Sequence, residues 1–250
     1  MGAEQGTVAA VSCNDTYAFT KPVRDEIVLI AGVGVAGDVH AGVHVKHRGR
    51  VRADPDQPNF RQVHLIQQEL FAEVGEKGYA VTAGNLGENV TTSGLDLLML
   101  PLGTILRFGP PPAAKAPTDG ARPANTTSAD TKSTGAMSAG PLAAVLDVAG
   151  RADLDAATAA SAVGIAAAAA RDDPRDLRPA VVLAGLRNPC AQINAFRPGL
   201  LKEVIGRDGH GDVVYRAGVM AVVLRGGPIR PGYVVTADLP PGPHVRLERV

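Results

Sequence analysis

Of the two cysteines in this 250-residue chain, the second has the surroundings that suggest chemistry. Cys190 closes the run Gly185-Leu186-Arg187-Asn188-Pro189-Cys190, just after the apolar stretch Ala180–Leu183. Arg187 stands three residues ahead of it. A nearby cation favours the thiolate, the form that attacks electrophiles and binds metals. Pro189 fixes its own φ, which constrains the direction of the sulfur that follows. Cys13, in an apolar run near the start, reads as a small buried hydrophobe. A Cys13–Cys190 disulfide is disfavoured, because the chain begins without the basic-then-apolar pattern of a secretory leader.

A second cluster lies near residue 40. His40, His44 and His47 follow H-x3-H-x2-H, a spacing that could hold zinc with a fourth ligand. On a helix all three would share a face; on a strand His47 would point away from the other two. The alternative is a set of polar histidines on a basic loop. That loop carries Lys46, Arg48, Arg50, Arg52 and Arg61 against Asp38, Asp54 and Asp56. Such a patch suits an anionic ligand such as a phosphate, or is simply a solvated charged face. Gly32-Val33-Gly34-Val35-Ala36-Gly37 matches the dinucleotide pattern, whose mechanism needs a helix starting there. The glycine and β-branched residues that follow oppose a helix, so the run is expected to be a tight turn that delivers Asp38 and His40. No G-x-S-x-G elbow, phosphate-binding G-x-x-x-x-G-K-[ST] loop or H-E-x-x-H helix is present.

The elements that must position these residues read as short and mostly β. The 29 glycines and 19 prolines exceed the usual combined share of roughly 12%, so turns are many and a long helical bundle is excluded. Runs at 26–30, 104–108, 180–183, 219–224 and 233–239 are apolar, β-branched and bounded by Gly or Pro, the pattern of strands. Two stretches have helical spacing. His64–Val74 puts Ile66, Leu70 and Val74 four apart, and Gly199–Ile205 is its shorter counterpart. Residues 110–179 form an insertion within a single domain spanning 1–250. Its first half is Pro-, Thr- and Ser-rich and too poor in large apolar residues to offset its ordering entropy. Its Ala-rich second half, 142–170, predicts at most a surface helix. The insertion as a whole is expected to be largely disordered.

Charge narrows the function classes. Twenty-five basic and twenty-five acidic side chains cancel, which excludes a whole-surface attraction to nucleic acid or to anionic membrane. The absence of Trp, with four Tyr and five Phe, argues against a base-stacking platform. No stretch is long and apolar enough for a membrane span. The expectation is a cytoplasmic protein with reduced thiols acting on a small molecule.

Several blocks in order resemble the MOSC family, named for the C-terminal domain of molybdenum cofactor sulfurase. They are Gly37–Gly42, Arg61–Leu65, Gly84–Thr92, Pro101–Gly103, Leu106–Gly109, Gly185–Cys190, Arg216–Met220 and Gly232–Val235. Together they cover the ordered parts of the chain. The resemblance implies a mainly β fold: a MOSC-type β-barrel with a few short helices, interrupted here by the low-complexity insertion. It implies a functional cysteine at Cys190, which would bind molybdenum in the molybdenum cofactor (molybdopterin) or carry sulfur as a persulfide. Some cofactor-bound relatives reduce N-hydroxylated compounds. Arg187, Asn188, Arg61, Asn85, Asn89 and Thr91 are then expected to hold the cofactor, and Asp38, His40, His64 and Glu88 to lie near the cavity. A persulfide would have to come from a pyridoxal-phosphate-dependent cysteine desulfurase partner, and electrons from an electron-transfer protein. A third expectation is a non-enzymatic carrier that hands the cofactor on.

Overall fold

The computed structural model describes residues 4–109, 141–207, 209 and 211–250. Its strands are β1 (Gln5–Ser12), β2 (Val23–Arg24), β3 (Ile27–Ile30), β4 (Gly34–Val35), β5 (Val63–Gln67), β6 (Val90–Ser93), β7 (Ile105–Phe108), β8 (Ala180–Leu186), β9 (Ile205–Arg207), β10 (Val213–Tyr215), β11 (Val219–Arg225), β12 (Gly227–Ile229) and β13 (Val234–Asp238). Its helices are α1 (Arg48–Ala53), α2 (Glu69–Glu76), α3 (Pro141–Arg151), α4 (Ala156–Arg171), α5 (Ala191–Phe196) and α6 (Leu200–Glu203).

Seven strands close a barrel in the order β13-β7-β8-β11-β5-β6-β1. Closure comes from antiparallel pairing of β1 with β13, Gln5 opposite Thr236. β2 extends β1 at one edge, and β12-β3-β4 form a separate small sheet. Within the barrel β5 and β6 run parallel, Leu65 opposite Val90.

The interior is filled by alternate residues, among them Leu65, Leu106, Phe108, Leu183 and Val223. Two outer clusters cover the opposite faces of the same strands. One packs Ile105, Val182 and Val222 against α3 and α4, through Val145, Ala149, Ile165 and Ala168. The other gathers Ile66, α2, Leu86, Ile193 and Leu200. Strand β7 is therefore buried on both faces, as are β5 and β8 over nearly all of their lengths. Burial on both sides removes the polar–apolar alternation that marks a half-exposed strand.

That double burial explains the first departure from the sequence reading. His64–Gln67 is strand, not helix; α2 begins at Glu69. Ile66, Leu70 and Val74 do share one cluster, but Ile66 reaches it from the outer face of β5. The second helical stretch likewise shortens to α6, and Ile205 opens β9.

The insertion differs from expectation in its described half. α3 and α4 form the outer wall of a core cluster rather than a lone surface helix. Small residues permit this, because they let α4 approach closely. A Cβ added to Gly103 would lie 3.2 Å from the Gly164 carbonyl oxygen. Ser161 Oγ donates to Ala184 O of β8 at 2.6 Å, and Asp155 caps α4 by accepting from Thr158 N at 2.8 Å. The Pro-, Thr- and Ser-rich residues 110–140 lie outside the described residues.

The glycine run at 32–37 forms the β3–β4 turn, with Gly32 and Gly37 at φ of 65° and 73°. No helix starts there. That turn closes with Val33 N donating to Ile30 O at 3.0 Å, and the next, after β4, with Asp38 N donating to Val35 O at 3.1 Å. Among the described residues no helix is long and apolar enough to cross a membrane.

Candidate functional site

The register sets the end of β8, the start of β11, the middle of β5, the start of β6 and the end of β1 side by side: Leu186 opposite Val219, Val219 opposite Leu65, Leu65 opposite Val90 and Val90 opposite Val11. There the loops enclose a cavity of about 530 Å³. Cys190 is on its wall. The chain leaves β8 at Leu186, passes Arg187 and Asn188, and places Cys190 as the N-cap of α5. The sulfur is half-buried, with its S–H toward Gln192 Oε1 at 3.5 Å. Cys13 and Cys190 are both free. Cys13 lies off the wall, donates to Ala36 O at 3.6 Å, and has its thiol pKa pushed up, first by burial and then by Asp38.

Arg187 is 7% exposed, and its Nη1 is buried without a hydrogen-bond partner. Its guanidinium lies 5.9 Å from the Phe19 ring centroid. Burial lowers its pKa, and the charges of Cys190 and Glu88 work against that. Arg61 reaches the wall from the segment ahead of β5, with Nη1 donating to Val250 O at 2.7 Å. Burial first, then Arg50 and Arg187, lowers its pKa to about 9. Among the described residues neither arginine has an Asp or Glu side chain in ion-pair contact, and no Asp or Glu lines the cavity.

A different polar group lies behind the wall. Asp38 Oδ2 accepts from Lys21 Nζ at 2.6 Å and from Asn89 Nδ2 at 2.8 Å. Its Oδ1 accepts from His40 N at 3.0 Å and lies 3.1 Å from His40 Nδ1. Burial opposes the carboxylate charge, but the hydrogen bonds from His40 and Lys21 outweigh it and hold the acid well below its ordinary value. Lys21 was not legible as a site residue: a lone lysine before a proline matches no motif. Here it is buried, lines the cavity, and has its pKa lowered by burial against the pull of Asp38.

His64 occupies β5 opposite Met220. Its Nε2 donates to Ala217 O at 2.7 Å, and burial holds the ring neutral. This geometry requires Gly218, at φ +94°, where an added Cβ would lie 2.8 Å from His64 Nε2 and 2.2 Å from Leu65 O.

Of the expected site residues, Cys190, Arg187, Asn188, Arg61, His40, His64 and Asn89 line the cavity, and Asp38 lies directly behind His40 and Lys21. Glu88, Asn85 and Thr91 are not on the wall. They build the turn that presents Asn89. Glu88 accepts from Gly84 N at 2.5 Å and Leu86 N at 3.1 Å, with Thr91 Oγ1 at 3.3 Å. Asn85 Oδ1 accepts from Thr82 N at 3.1 Å. The zinc arrangement does not form: His44 is exposed and off the wall, and no group of three metal-ligating side chains occurs among the described residues.

No family model matches the chain, and no curated protein matches it. Solved structures do. The crystal structure of APC1665, the YUAD protein from Bacillus subtilis, superposes with a TM-score of 0.57 at 17% identity, over 96% of this chain and 99% of that one. That of YiiM from Geobacillus stearothermophilus gives 0.48 at 15% identity, over 96% and 77%. The likeness to the Bacillus subtilis protein is one of fold.

Proposed function

We propose that this is a MOSC-type protein that holds the molybdenum cofactor in the cavity beside Cys190, with Cys190 as a molybdenum ligand, and reduces an N-hydroxylated small molecule. The observation that carries the reading is the juxtaposition of Cys190 with Arg187, buried with no Asp or Glu side chain in ion-pair contact among the described residues, and with Arg61 on a wall that holds no Asp or Glu. A buried cation left without a counter-charge costs several kcal/mol. An anionic ligand removes that cost.

The residues fit the group. The orphaned Nη1 of Arg187 and the guanidinium of Arg61 suit a pterin phosphate, for which arginine offers paired donors. Asn89 and Asn188 add amide donors and acceptors on the same wall. A thiolate is the soft ligand that a sulfur-rich metal site selects. When bound, the cofactor supplies two-electron redox chemistry. Reduction of an N–OH group to N–H consumes two electrons and two protons and releases water. The electrons must come from an electron-transfer partner. Asp38 pins His40 through Nδ1 and leaves Nε2 to exchange a proton with the cavity. Phe19, Leu86 and Met220 supply apolar wall that limits water.

The test is molybdenum and pterin content of protein purified from a host that makes the cofactor, with Cys190→Ser alongside. Stoichiometric molybdenum in the wild type, lost in the variant, is the expected result. Wild-type protein without molybdenum would overturn the reading. A persulfide on its Cys190 after incubation with a pyridoxal-phosphate-dependent cysteine desulfurase would then support sulfur carriage.

A further inference from the structure

His47 shares the cavity wall with His40, yet its surroundings are unlike those of the other two histidines of its motif. It precedes α1 without a side-chain capping bond, and its ring lies against Gly49, where an added Cβ would sit 3.6 Å from Nδ1. Among the described residues its ring nitrogens make no hydrogen bond. Three guanidiniums act on it from three elements: Arg61 ahead of β5, Arg50 on α1 and Arg187 at the end of β8; His40 acts from the turn after β4. Lys46 and Cys190 line the same wall. Asp155, the N-cap of α4, acts on Arg50 and is not on that wall. Burial first, then this positive field, pushes His47 down to about 4.

A half-buried imidazole held neutral among three arginines responds when an anion arrives. Two negative charges in the cluster cancel much of the field that opposes protonation, and only the burial penalty remains. We propose that Arg50, Arg61, Arg187 and His47 form one anion site in which a phosphate-class dianion brings a proton from solvent onto His47. The protonated ring then becomes a fourth cationic donor. This rests on the reading that the cavity receives an anionic ligand, and adds a residue and a proton which that reading does not require.

Sulfate is the suitable probe, because it stays doubly charged across the range and every proton taken up belongs to the protein. Titration calorimetry at about pH 6, in two buffers of different ionisation heat, is expected to show proton uptake by the wild type and none by His47→Gln. Sulfate binding by the wild type should tighten on acidification by up to about tenfold per pH unit, while the variant stays flat. His40 and His64 are present in both proteins, so the difference isolates His47. Should the variant fold poorly, the wild-type His47 ring resonance followed by NMR is expected to titrate at higher pH with sulfate than without it. Sulfate binding with no proton uptake and an unmoved His47 titration would overturn the inference and leave the cofactor reading standing. Wild-type protein that binds no sulfate would overturn the anion site itself, whereas molybdenum content tests the cofactor reading separately.

Discussion

Two buried arginines at the two ends of β8, Arg107 opposite Ala180 at its start and Arg187 just past its last residue, have opposite electrostatic settings. Arg107, on β7 facing the helical insertion, is 5% exposed and meets Asp172 at 2.9 Å and Asp176 and Asp238 at 3.5 Å each. Asp172 also pairs with Arg225, and Asp176 with Arg178. Arg187, at the cavity, is equally buried and has no ion pair among the described residues. The fold neutralises one charge itself and leaves the other without an Asp or Glu partner, as the proposed anionic ligand requires. Burial and residue type are alike in the two cases; the counter-charge is what differs.

This contrast can be broken by mutation, and the largest effect is expected at the neutralised arginine. Arg107→Met removes the cation that three carboxylates share, of which Asp172 and Asp176 keep only Arg225 and Arg178, and should lower unfolding free energy by about 3–4 kcal/mol, read by urea denaturation. Asp38→Asn is the intermediate case. It removes the counter-charge of buried Lys21, which can answer by losing its proton, so about 2–4 kcal/mol is expected at neutral pH. Because the folded acid is depressed, its contribution is complete above the ordinary value of 3.8 and is lost as pH falls through the folded value. The gap between wild type and Asp38→Asn should therefore close only in strong acid. Arg187→Met strands no Asp or Glu in ion-pair contact and relieves a buried charge, so its effect should be the smallest and of opposite sign, a gain of about 1–2 kcal/mol over the wild type.

The two regions also differed in how much the sequence disclosed. Around the cavity, Arg187-x-Pro-Cys190 and the glycine turn ahead of Asp38 were visible, because short-range spacing and turn chemistry fix them. Lys21 was not, since its meaning comes from Asp38, seventeen residues away across a fold contact. Asn85 and Thr91, expected to hold the cofactor, and Glu88, expected near the cavity, lie off the wall, because polar side chains in a matched block look alike in sequence whether they face a cavity or brace a turn. On the insertion side, Ala-rich helices look too small to make a core. Small size is what allows α4 to sit tightly on β8, and that depends on residues far off in sequence. His64–Gln67 was misread as helix because burial on both faces erases the period that distinguishes a strand.

The most direct test of this account is the pterin content of Arg187→Met with Cys190 left in place, purified beside the wild type from a cofactor-producing host. The expected result is a stable, folded variant that has lost its pterin. A variant retaining stoichiometric pterin and molybdenum would contradict it, because the unneutralised charge at the cavity would then have no part in holding the ligand.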